Sequence, residues 1–192
     1  MNDALQTYIE QYVALEAGMQ ELISRKGNSL CAQCSCICCD AVMCIEGIKS
    51  PFLKLVHQQT DQYDEQKGFL SDTGCILKKG RPSVCYEYFC DDHFYYQPDE
   101  LHAAVLKIIG ALLYHATRNA KGDIPLDEIM TEEELDSLDF QPLEKQMQES
   151  SQALEIIQAF YRDGTMADES YEMLKRIQIP EEFKTSVESS AN

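Results

Sequence analysis

The chain has 192 residues, 44% of them hydrophobic, and a formal net charge of −17. That length suits one domain able to bury roughly 70% of its unfolded surface without disulfides or metal. The charge argues against nucleic acid and anionic membranes as partners, and no window approaches the ~20 apolar residues of a membrane span. The acidity is lopsided: from residue 99 onward there are 20 acidic against 8 basic side chains, a net −12. Such a surface is that of a soluble protein and is compatible with a basic protein partner. The first eighteen residues have neither a basic stretch nor a continuous apolar run, so no signal peptide is expected and the expected location is cytoplasmic.

Residues 3–26 are predicted as a helix within an N-terminal segment 1–27. Leu5, Tyr8, Ile9, Tyr12, Leu15, Met19, Leu22 and Ile23 recur at three and four and make one apolar face, and Gly27-Asn28 is the expected stop. Residues 28–98 read as a loop-rich cysteine lobe. Within it, Ser50-Pro51 opens a helix expected to reach about Tyr63. Turns fall at Lys67-Gly68, Thr73-Gly74 and Lys79 to Pro82, with short β pairing around Cys75 to Leu77 and Val84 to Tyr86. Past Pro98 the texture becomes helical through residue 180. Asp99 is the expected N-cap of a helix over 99–120, with Leu101, Val105, Ile108, Ile109, Leu112, Leu113 and Ala116 buried. Further helices are predicted at 125–137, 143–161 and 168–178, before a frayed polar tail over 181–192. The fold class is therefore mainly α: one domain, a helical scaffold carrying an irregular cysteine-rich lobe.

Nine cysteines all lie between residues 31 and 90, and six of them (Cys31, Cys34, Cys36, Cys38, Cys39 and Cys44) fall within fourteen residues. In a reducing compartment, thiols at this density point to metal or redox chemistry rather than disulfides, and an odd number would leave one unpaired. Cys31-Ala-Gln-Cys34 is a CxxC turn, whose spacing lets two Sγ atoms converge on one ion at ~2.3 Å. Cys38-Cys39 is vicinal; both bind only if the backbone turns sharply or if they serve different metals. Cys75, Cys85 and Cys90 form a second group. Arg25, Lys26, Lys78, Lys79 and Arg81 flank these sulfurs, where cations depress thiol pKa values and offset the charge of a multi-thiolate site.

The run Cys31-x-x-Cys34-x-x-x-Cys38-Cys39, then Gly74-Cys75-Ile76-Leu77, then Arg81-Pro82-x-x-Cys85-x-x-Tyr88-x-Cys90, resembles the YkgJ-type cysteine-cluster family of zinc- or iron-chelating CxxCxxCC proteins. Tyr86 stands where the family usually has arginine. Three residues rather than two precede the vicinal pair here, so either Cys34 or Cys36 fills the second family position. The resemblance covers residues 31 to 90 and implies a metal held by Cys31, Cys34, Cys38, Cys39, Cys75, Cys85 and Cys90. Flagellin lysine N-methylases look similar in this motif and are associated with an iron–sulfur cluster.

The donor set suits zinc and iron–sulfur equally in softness. A cubane takes a local run such as Cys31, Cys34 and Cys38 or Cys39 plus one remote cysteine, whereas two zinc ions with bridging thiolates also fit. The bland alternative is that the metal only staples residues 28–98, because nothing else in that lobe is expected to hold it. Cys36 and Cys44 are expected to be packing or spare thiols. His93 is a weak candidate ligand or base, Asp91 and Asp92 are a solvated pair, and His57, His102 and His115 are packing or surface residues. Tyr86, Tyr88, Phe89, Phe94, Tyr95 and Tyr96 are expected to shield the centre from water. Three functional readings stand: a structural or electron-transfer metal protein, a protein-modifying enzyme resembling the flagellin methylases, and a thiol redox sensor. Against the enzyme, no S-adenosylmethionine fingerprint is visible.

Overall fold

The computed structural model describes residues 3–31, 41–72, 74–87, 94–177 and 179, with side chains described throughout except at 25–31. Helix α1 spans Asp3–Cys31. It does not stop at Gly27-Asn28. An interior glycine costs a helix about 1 kcal/mol, too little to end one whose preceding turns are packed along a whole face. That face is as the periodicity implies: Leu5, Tyr8, Ile9, Tyr12, Leu15, Met19 and Leu22 are buried, and Ile23 is partly so.

A 3-10 turn at Ala41–Cys44 leads into α2 (Ile45–Lys49) and α3 (Pro51–His57). Ser50 caps α3, its Oγ accepting from Leu53 N–H at 3.4 Å, with Pro51 in the first turn. This helix ends well before Tyr63. The two residues at its end explain the stop: the C-cap Gln58 takes a left-handed φ of 57°, and the last helical residue, His57, accepts through Nδ1 from Gln59 N–H at 2.9 Å. Strands β1 (Leu70–Ser71) and β2 (Gly74–Cys75) form a two-residue antiparallel hairpin, Leu70 opposite Cys75 and Ser71 opposite Gly74. Residues 84–86, expected as a strand, are instead helix α4 (Val84–Glu87), because a side chain from a distant segment caps its start, as described below.

Helix α5 (Glu100–Thr117) begins as expected, with Asp99 Oδ1 accepting from His102 N–H at 2.9 Å. The single helix expected over 125–137 is two pieces. Pro125 precedes a 3-10 turn, Leu126–Glu128, and α6 (Glu132–Asp136) starts afresh with Thr131 as its own N-cap, accepting from Glu134 N–H. Helix α7 runs Gln141–Asp163 and α8 runs Asp168–Leu174, the latter shorter than expected. The tail from residue 181 lies outside the described residues.

Helices α5 and α7 share the most extensive helix–helix contact, and α1 lies against both. Two buried hydroxyls stitch these three together by using α5 carbonyls: Tyr8 donates to Ala116 O at 2.8 Å, and Ser150 donates to Leu112 O at 3.0 Å. One continuous hydrophobic core joins α1, α3, α5, α6, α7 and α8. Phe52, Leu53 and Val56, which sequence assigns to an irregular lobe, sit fully buried in that core. Among the described residues no helix is long and apolar enough to cross a membrane.

Candidate metal centre

Cys34, Cys38, Cys39 and Cys90 lie outside the described residues, as do Cys36, Tyr88, Phe89, Asp91, Asp92 and His93. Cys31 is the last residue of α1. Cys75 and Cys85 are placed, Cys75 half-buried on β2 and Cys85 exposed on α4. Among the described residues, no group of three or more His, Cys, Asp or Glu side chains is arranged to hold a metal ion.

A hydrogen-bonded frame holds the segment that follows Cys75 and contains Cys85. At its centre is Glu16, a fully buried carboxylate on the apolar face of α1. Its Oε2 accepts from Gly80 N–H at 2.6 Å, and its Oε1 accepts from Arg81 N–H at 3.0 Å and from the Tyr86 hydroxyl at 2.7 Å. Burial pushes the Glu16 pKa up, and these three donors together with the Arg81 charge act against that rise. Gln20, one turn on, donates to Tyr86 Oη at 2.6 Å and to Lys78 O at 3.3 Å. Tyr12, one turn before, donates to Arg81 O at 3.2 Å. Three side chains at i, i+4 and i+8 of one helix thus grip residues 78 to 86.

Arg81 is held at its amide, its carbonyl and its side chain, where Nε donates to Leu77 O at 3.0 Å. Burial disfavours the guanidinium charge, but Tyr86, Cys75, Glu16 and Cys85 more than offset this and hold its pKa above the ordinary value. Cys75 and Cys85, ten positions apart, therefore lie within electrostatic reach of the same cation. Lys78 and Lys79, the other expected cations here, point into solvent.

The start of α4 is fixed from the opposite side. Asp127, buried in the 3-10 turn before α6, accepts from Ser83 N–H through Oδ2 at 3.1 Å. A carboxylate at a helix start satisfies an otherwise orphaned amide, which is why 84–87 coils instead of extending. Asp127 and Glu128 also face Glu46 of α2. Burial first, and then these two charges, push Glu46 up to about 7.

Cys44 packs against the chain at Gly68: a Cβ there would lie 2.6 Å from Cys44 Sγ. Gly68 itself has φ +61° in the turn that Asp64 organises by accepting from Gln66 and Lys67 N–H groups. The three described histidines are packing and capping residues. His57 Nε2 bonds Gly47 O at 2.8 Å, His115 Nε2 lies 3.0 Å from Glu149, and His102 pairs with Asp99. Burial lowers the pKa of both His57 and His115. The aromatic run divides. Tyr86 is buried, but Tyr95 and Tyr96 are 81% and 62% exposed, stacked edge to face on each other, so these two are not a water-excluding shell.

Glu16, Gln20 and Asp127 were not singled out from sequence. For Glu16 the signal was present: it falls four after Tyr12 and three before Met19, a charge on the core face. Eleven residues separate Gln20 from Cys31, an axial rise of roughly 16 Å. A shared centre thus requires Cys75 and Cys85 to lie toward the C-terminal end of α1 from the Gln20–Lys78 contact.

No family model matches the chain, and no curated protein or solved structure matches it either.

Proposed function

We propose that this chain is a metal-binding cysteine-cluster protein that holds an iron–sulfur cluster or zinc through thiolates, in a structural or electron-transfer role. The observation that supports the reading is the hydrogen-bonded frame that leads into Cys85, in which the half-buried Arg81 guanidinium is held by Leu77 O and is favoured in its charged form by both Cys75 and Cys85. A multi-thiolate centre carries net negative charge, and a fixed cation beside its sulfurs offsets it. Thiols in this setting suit a soft-ligand metal and not a hard cation, which takes oxygen donors.

Cys75 and Cys85 are two of the seven donors; Cys31, Cys34 or Cys36, Cys38, Cys39 and Cys90 complete the set, as the resemblance to the YkgJ-type family implies. An iron–sulfur cluster would supply one-electron chemistry, and zinc a crosslink between the two blocks. Arg81 supplies the counter-charge, and Tyr86 closes the frame behind it.

The test is metal and sulfide analysis of protein isolated without oxygen. A brown sample with acid-labile sulfide identifies iron–sulfur; a colourless one with stoichiometric zinc identifies zinc. Cys39→Ser and Cys85→Ser should lose metal, and Cys44→Ser should keep it. Equal metal in all three variants contradicts the ligand assignment. A metal-free folded chain with reversible thiol oxidation replaces this reading with the redox sensor.

A further inference from the structure

The second cysteine block does not hold itself. Between Cys75 and Cys85 the chain makes a left-handed turn at Gly80, where φ is +71°. The amides of this turn and of the next residue, and the hydroxyl that follows Cys85, all converge on a carboxylate more than sixty positions earlier. We infer that Glu16 is a positioning residue for the thiolate centre: by fixing Gly80, Arg81 and Tyr86 in one frame it holds the segment that joins Cys75 to Cys85. This rests on the reading of those two cysteines as ligands.

The geometry leaves little slack in this clasp. Both carboxylate oxygens are used, Oε2 by Gly80 N–H and Oε1 by the close pair of Arg81 N–H and the Tyr86 hydroxyl, with Gln20 Nε2 beside them at 3.4 Å. A glutamine in this place offers only one oxygen, so its amide nitrogen would face either Gly80 N–H or the pair on Oε1. A donor would then meet a donor in a buried site. Tyr86 completes the arrangement from the other direction, because its oxygen accepts from Gln20 while its hydrogen goes to Glu16. Glu16 touches neither thiol through any of these bonds; its effect reaches them through Arg81 and the turn.

The experiment is site-resolved alkylation of the full chain as purified, read by mass spectrometry, with metal content measured on the same samples. Cys75 is the reporter and Cys44, packed at Gly68 and no party to the Glu16 hydrogen bonds of the clasp, is the internal control. In Glu16→Gln, Cys75 should react roughly tenfold faster relative to Cys44, as local release of one segment predicts. Tyr86→Phe, which keeps the carboxylate and is the milder change, should move Cys75 in the same direction by less. Arg81→Met should also accelerate Cys75, and the Glu16→Gln/Arg81→Met double variant should react no faster than the faster single one, since the two act as a unit. An unchanged Cys75, an equal acceleration of Cys44, or strictly multiplicative effects in the double variant each overturn the role of Glu16. Wild-type protein devoid of metal overturns the thiolate-centre reading instead, and the alkylation rates still decide whether Glu16 governs the block.

Discussion

Tyr86 donates its hydroxyl hydrogen to Glu16 Oε1 at 2.7 Å across 70 positions of chain, and both side chains are buried. This contact joins the helix that ends at Cys31 to the helix that carries Cys85. Removing the hydroxyl by Tyr86→Phe leaves Glu16 short of one donor and Gln20 short of one acceptor. A loss of about 1–2 kcal/mol is expected. Glu16→Ala strands three donors and should cost about 3 kcal/mol or more. Urea unfolding of the two variants measures both. A Tyr86→Phe midpoint equal to wild type would mean the bond contributes nothing net.

Gly80 and Gly164 separate two effects of replacing glycine. Both have left-handed φ, +71° and +73°. A Cβ at Gly164 meets nothing within 4 Å, whereas one at Gly80 lies 3.0 Å from His57 N and from Val56. Gly164→Ala should therefore cost only the backbone strain, about 1 kcal/mol. Gly80→Ala adds displacement of α3 and the Glu16 bond, for about 3 kcal/mol. Thermal midpoints that fall equally in the two would show that the packing around Gly80 yields freely.

Glu46 gives the stability a pH dependence of definite sign. Burial, then Asp127 and Glu128, raise its carboxyl from 4.5 to about 7. The folded state then holds more protons than the unfolded state between those values, so stability falls as pH rises through that window and remains lowered above it. Burial lowers the pKa of His57 and of His115 below 6.5, which acts oppositely: their contribution is lost on acidification below that value. Glu46→Gln should match wild type near pH 4 and exceed it by about 1 kcal/mol near pH 8, the shift being discounted for a half-exposed group. Chemical denaturation at the two pH values checks this. A variant no more stable than wild type at the higher pH would show that the carboxylates do not repel across the α2 interface.

If the chain holds metal as proposed, removing it should not unfold the scaffold. Sequence alone offers nothing but a metal to hold residues 28–98, yet Phe52, Leu53 and Val56 are in the main core, and Glu16 and Asp127 bind residues 80–86. Chelation should leave most of the helical circular dichroism in place while loosening the cysteine segments, seen as faster hydrogen exchange there. Cooperative loss of all helical signal on chelation would show that the metal organises the whole fold.

Helix α1, α5 and α7 were legible because their stabilisation is periodic. Each long apolar face repeats at three and four, and a face is a local property of the chain. Asp99 and Ser50 were legible as caps for the same reason, since a cap bonds an amide three positions on. The boundaries that sequence misplaced were set by partners from elsewhere. Val84 to Tyr86 has strand-like composition, but Asp127 caps the segment into a helix. Gly27-Asn28 is a stop signal in isolation, but α1 continues to Cys31.

The residue types, their spacing and their crowding between positions 31 and 90 raise the expectation of a thiol chemistry before any fold is known, because a ligand's softness belongs to the side chain. Which cation stands beside Cys75 and Cys85 was decided only in three dimensions. Lys78, Lys79 and Arg81 are equivalent neighbours along the chain, but the two lysines are exposed while Arg81 is half-buried, its backbone held by Glu16 and Tyr12 and its Nε by Leu77 O. A buried charge selects its partners by which groups meet once the chain is folded, and that meeting has no local period to read.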